Sequence, residues 1–81
     1  MVKVYALSTC PYCKMTRKFL EENGVAFDVV EVDLLEGEEL ESVKQEVKRI
    51  SGGLSFPVVV VDEKPPVVGY DVGSLKKALD L

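Results

Sequence analysis

Pro57-Val58-Val59-Val60-Val61 constrains the chain more than any other segment: four consecutive β-branched residues behind a proline specify a strand. Asp62-Glu63-Lys64-Pro65 then supplies a turn, and Pro66-Val67-Val68 a second apolar patch, so the pair reads as a hairpin. Upstream, Val2, Val4 and Tyr5 to Leu7 form a buried first strand that ends at the turn-prone Ser8-Thr9. Phe27 to Val32, rich in Val, gives another strand. Between these strands the apolar spacing changes to that of helices. Pro11 opens a helix of about three turns that carries Met15, Phe19 and Leu20 and stops at Asn23-Gly24. Leu40, Val43, Val47 and Ile50 recur at three, four and three, in a helix whose first turn is acidic and whose last turn holds Lys48 and Arg49, matching the helix dipole. Val72, Leu75, Ala78 and Leu79 make a final helix after Gly69-Tyr70-Asp71.

The expected order is β-α-β-α-β-β-α, an α/β architecture with a mixed four-stranded sheet flanked by helices. Strands joined through a helix should lie parallel by a right-handed crossover, and the last two antiparallel through their tight turn. Eighty-one residues leave room for one domain, spanning 1–81, with no repeat or linker. Ten Lys and Arg stand against 14 Asp and Glu, a net charge of -4, which is poor equipment for neutralising phosphates, so nucleic-acid binding is not expected. No apolar run approaches the roughly 20 residues of a membrane span, and the first residues do not form a signal peptide. A cytoplasmic monomer is the expectation. The acidic run from Glu31 to Glu41 reads as a solvated face leading into a helix start.

The chain has no His, which excludes Ser-His and Cys-His triads and removes the commonest metal ligand. Its two cysteines are Cys10 and Cys13, in Cys10-Pro11-Tyr12-Cys13, at the junction of a buried strand and a helix. Free N–H groups and the helix dipole at that point favour an anion, and a thiolate is one. Lys14, Arg17 and Lys18 add positive charge in the same helix, and both effects should lower a cysteine pKa. Cys10, nearer the helix terminus, is assigned as the nucleophile towards a disulfide, and Cys13, one turn inward, as the resolving thiol. A static disulfide is the weaker reading, because a bridge across three residues closes too short a loop to stabilise much.

Ser8-Thr9-Cys10-Pro11-Tyr12-Cys13 resembles the glutaredoxin active site, and the element order resembles the minimal thioredoxin fold of glutaredoxins; the resemblance covers essentially the whole chain. It implies a thiol–disulfide oxidoreductase that reduces protein disulfides, with ribonucleotide reductase among the targets, and glutathione mixed disulfides as a further substrate class. It also implies that Pro57, in Ser55-Phe56-Pro57 where the family has Thr-Val-Pro, is cis, and that Phe56 offers backbone groups to an extended substrate. Gly69, Tyr70 and Asp71 lie where the family contacts glutathione or the substrate backbone; Asp71 is equally suited to cap the last helix. Tyr12 is either a spacer or a lid beside the thiol. The chain departs from the family at Leu7, where many members carry a Lys that pairs with a glutathione carboxylate, and has one glycine, Gly69, where two are usual. No bound cofactor is implied. The electron donor is glutathione or a thioredoxin-type reductase. The alternative from another class is an iron–sulfur or metal carrier, in which two chains and glutathione share a cluster through their cysteines.

Overall fold

The structure is a computed structural model describing residues 1–81. Its strands are β1 (Val2–Ala6), β2 (Asp28–Glu31), β3 (Val58–Val61) and β4 (Val67–Val68), and its helices α1 (Pro11–Glu22), α2 (Gly37–Ser51) and α3 (Val72–Leu79). The element order is the expected one, with a short 3-10 turn, Val32–Leu34, between β2 and α2. The strands form one mixed sheet in the order β2-β1-β3-β4.

β1 pairs parallel with β2, placing Val4 beside Val29, and antiparallel with β3, placing Val4 beside Val59 on the other edge. β3 and β4 pair antiparallel, Val59 beside Val67. The parallel crossover rule therefore holds for β1-α1-β2 and fails for the connection through α2. β3 does not return beside β2 but passes to the far side of β1 and runs against it. A run of valines has no polarity of its own, so its direction is set by which edge remains free.

The core forms on both faces of the sheet. Val2, Val4, Ala6, Val59, Val61 and Val67 pack with Cys13 and Leu20 of α1 and Leu75 of α3. Tyr5, Val32 and Val58 pack with Val47 of α2 on a second cluster. Alternation along β1 and β3 divides their side chains between these two layers. In α1 the buried residues are Cys13, Thr16 and Leu20, whereas Met15 is exposed and Phe19 half-buried. The apolar stripe is thus rotated from the expected one, because Cys13 itself faces the core. Thr16 can be buried among apolar neighbours because its hydroxyl donates to the Tyr12 carbonyl, 2.9 Å away.

β2 ends one residue before Val32, which opens the 3-10 turn rather than extending the strand. α2 closes on Gly52, whose φ of 79° lies in the left-handed region and whose N–H returns to the Lys48 carbonyl at 2.8 Å. No helix is long and apolar enough to cross a membrane.

Candidate active site

The site grows out of the end of β1. The strand delivers the chain at Ala6 to a four-residue loop, and Cys10 is the N-cap of α1, with extended backbone (φ -81°, ψ 119°). Pro11 follows as the first helical residue, where its lack of an N–H is harmless and its fixed φ suits the helix. Cys10 Sγ takes the part of a capping side chain and accepts the Cys13 N–H at 3.3 Å. A sulfur bearing negative charge in that position is favoured by the free N–H groups and by the dipole.

Neither cysteine is in a disulfide; Cys10 is partly exposed and Cys13 buried. Their acidities move in opposite directions. Slight burial acts to raise the Cys10 pKa, but hydrogen bonds from the Cys13 thiol, the Cys13 N–H and the Tyr12 N–H outweigh it, and the value falls below the ordinary 9.0. Cys13 is pushed up to about 11, first by burial and then by its thiol's hydrogen bond to Cys10, with the charges of Cys10 and Asp33 adding to the rise and the Leu7 N–H opposing it. That N–H lies 3.5 Å from Cys13 Sγ.

The basic residues of α1 do not act as expected. Lys14 and Lys18 are exposed, and neither contributes to the shift at Cys10. Arg17 instead pairs with Glu31 at 3.3 Å, tying α1 to β2. The reason is helical phase: with Cys13, Thr16 and Leu20 facing inward, positions 14 and 18 point to solvent.

The segment 55–57 and the segment 69–71 are joined to each other and reach the same core cluster as the thiols. The Phe56–Pro57 bond is cis. Pro57 is buried and its carbonyl accepts the Gly69 N–H at 2.8 Å, so the two segments are held together. Gly69 has φ 83°, the left-handed region that favours glycine. Phe56, Tyr70 and Cys10 all pack against the core cluster that contains Cys13. Tyr12 is 61% exposed and stands off this cluster. Asp71 is the N-cap of α3: its carboxylate accepts the Ser74 N–H at 3.2 Å and the Ser74 hydroxyl at 2.9 Å, which lowers its pKa.

Leu7 lines a groove of about 290 Å³ with Val32, Leu40, Leu54 and Phe56, and Asp33 and Lys44 are its charged lining. A residue that the sequence placed only in a solvated acidic face enters here. The Asp33 carboxylate accepts two hydrogen bonds from Ser8, from the N–H at 2.9 Å and from the hydroxyl at 2.5 Å, and its pKa is lowered by them. Nothing in the local sequence separates Asp33 from its acidic neighbours. No three His, Cys, Asp or Glu side chains gather into a set that could hold a metal ion. Such a pair of thiols, one partly exposed and acidified, one buried and protonated, suits sequential thiol–disulfide exchange.

Comparisons with known proteins agree. The family model described as Glutaredoxin matches residues 2–65. The solved structure of a glutaredoxin from Archaeoglobus fulgidus superposes with a TM-score of 0.91 at 49% identity, covering 96% of this chain and 84% of that one. That of methanoredoxin from Methanosarcina acetivorans superposes with a TM-score of 0.91 at 38% identity, covering 99% and 84%. A glutaredoxin-like protein NrdH from Lactococcus lactis is 35% identical over 63 residues, 78% of this chain and 79% of that one.

Proposed function

The chain belongs to the glutaredoxin family and is a thiol–disulfide oxidoreductase, and from that premise we propose that it reduces protein disulfides by a dithiol mechanism. The observation that carries this reading is the opposed acidity of the two thiols, Cys10 lowered at the helix cap and Cys13 raised to about 11 in the core. Cys10 as thiolate attacks one sulfur of the substrate disulfide, forming a mixed disulfide and releasing one substrate thiolate. Cys13 then loses its proton to solvent and attacks Cys10 Sγ. The Cys10–Cys13 disulfide forms, the second substrate thiolate leaves, and two electrons have passed to the substrate. The high Cys13 pKa keeps the second thiol out of the first step.

In this reading the substrate lies extended along Phe56 and Pro57, with Gly69 and Tyr70 on the other flank, Tyr12 beside the sulfur and Asp71 holding the start of α3 at the rim. The apolar wall at Leu7 favours a protein partner, both as target and as thioredoxin-type reductase, over a donor that presents carboxylates. A specific observation supports glutathione as a second donor: the cationic residue Lys44 lines the same groove, its ammonium 4.0 Å from the Glu41 carboxylate.

The test sets reduction of the oxidised protein by glutathione and glutathione reductase beside reduction by a thioredoxin-reductase couple at matched concentrations. Faster turnover with the protein reductase is expected. Turnover with glutathione that Lys44→Ala weakens would establish the second reading instead. Cys10→Ser should abolish turnover with either donor, and retained activity in that variant would refute the assignment.

A further inference from the structure

The hydrogen bonds around the thiols form one chain of contacts that begins outside the family motif. Asp33, in the 3-10 turn after β2, holds the Ser8 N–H and hydroxyl across 25 positions of sequence. Ser8 adjoins Leu7, whose N–H points at Cys13 Sγ at 3.5 Å and whose carbonyl accepts the Cys10 N–H at 3.2 Å. The loop that joins β1 to α1 is therefore pinned from β2's side of the sheet. The two cysteines do not depend on this pin equally. The hydrogen bonds to Cys10 Sγ come from Cys13 and Tyr12, inside α1, and need nothing from the loop. The backbone bond to Cys13 Sγ comes from Leu7 alone.

We propose that Asp33 is a positioning residue for the resolving step: by latching Ser8 it holds the Leu7 N–H against Cys13 Sγ, and so sets the rate at which Cys13 attacks the Cys10 mixed disulfide. This rests on the dithiol reading above. The attack requires Cys13 as a thiolate, and the Leu7 N–H is the donor placed to receive that charge. The titratable groups that act on Cys13 are Cys10 and Asp33. In the mixed disulfide Cys10 carries no charge; burial still opposes the thiolate, and of the polar groups that remain the Leu7 N–H favours it by more than the charge of Asp33 disfavours it. Removing the latch thus has two opposed consequences, and their balance identifies the mechanism.

The experiment mixes reduced protein with one equivalent of 5,5′-dithiobis(2-nitrobenzoate) and follows release of the coloured thiolate by stopped flow across a pH series. The first phase reports Cys10 attack, and the second, independent of reagent concentration, reports Cys13 attack and release of the second thiolate. In Asp33→Ala the first phase should not be slowed, since the change only removes a negative charge near a dianionic reagent, and the second should be slowed by about tenfold, the effect of a misplaced reacting group. Its pH inflection should move upwards, because the loss of the Leu7 bond outweighs the loss of the Asp33 charge. Asp33→Asn, which keeps an oxygen for the Ser8 N–H and drops the charge, should slow the second phase less and move the inflection downwards. A purely structural role would depress both phases together and move no inflection. An Asp33→Ala trace with an unslowed second phase, with equal slowing of both phases, or with an inflection moved downwards would overturn the proposal. A wild-type trace without a second phase, or a second phase surviving in Cys13→Ser, would overturn the dithiol reading as well, so the two failures are told apart.

Discussion

Replacing Cys10 by alanine should make Cys13 more acidic, and the size of the change follows from what raises it. Cys13 stands at about 11 against an ordinary 9.0. Burial is the largest cause; the hydrogen bond its thiol donates to Cys10 and the Cys10 charge are two of the others, with Asp33 the last. Cys10→Ala removes the two Cys10 contributions and leaves burial and Asp33 against the smaller opposing Leu7 N–H, so the new value should fall between 9.0 and 11. The wild-type consequence is selectivity. At neutral pH a thiol at about 11 is ionised to roughly one part in 10⁴, whereas one at 9.0 is ionised to roughly one in 10². Cys10 lies below 9.0, so its thiolate exceeds that of Cys13 by at least about a hundredfold. Titration of thiolate ultraviolet absorbance in Cys10→Ala and Cys13→Ser measures the pKa values one at a time, and timed iodoacetamide labelling with peptide mass spectrometry measures selectivity in the wild type. Labelling of both cysteines at similar rates at neutral pH would refute the reasoning. So would an unchanged Cys13 titration in Cys10→Ala, since it would mean that Cys10 contributes nothing to the rise.

Two further outcomes test the frame that holds the thiols. Leu75→Ala, which empties a fully buried position between α3 and the sheet, should destabilise the protein by about 3 kcal/mol in urea titration and lower its midpoint temperature by roughly 15 °C. A loss below 1 kcal/mol, about a third of that expectation, would mean that α3 is not anchored there. Gly69→Ala meets no neighbouring atom within 4 Å, so its cost is that of the left-handed backbone alone, about 1–2 kcal/mol. Because Gly69 N–H holds the Pro57 carbonyl, turnover of a protein disulfide should fall with it, while the first phase with a small aromatic disulfide should persist.

What could be read from the residues, and what could not, divides along the range of the contacts. Cys10 and Cys13 are three apart at a strand-to-helix junction, and the hydrogen bonds to Cys10 come from the helix that begins between them, so their spacing located them. The parallel β1-α1-β2 unit follows from a handedness rule that applies to adjacent elements. The antiparallel placement of β3 against β1 does not, because it depends on which sheet edge is left after β2 has docked. The charge of Lys14, Arg17 and Lys18 can be counted from the sequence, but which of them turn away from the thiols depends on which face of α1 is buried. Once Cys13 is required to face the core, the helical period sends Lys14 and Lys18 outward. Asp33 was illegible for a different reason. It stands among Glu31, Glu36, Glu38, Glu39 and Glu41, and only the fold shows which of these acids returns to the loop before the thiols.

The same distinction bears on how the site divides its labour. The acidity of Cys10 is supplied within one turn of one helix, so any strand-to-helix junction with this spacing reproduces it. The state of Cys13 is a property of the whole fold: it needs the sheet to bury it, the β1–α1 loop to reach it through Leu7, and Asp33 in the turn after β2 to steady that loop. Attack on a disulfide is therefore a local capability, while resolution is a tertiary one. Loosening the tertiary frame without unfolding it should leave a protein that still forms mixed disulfides and closes them slowly. The motif confers the first half of the reaction, and the packing around it confers the second.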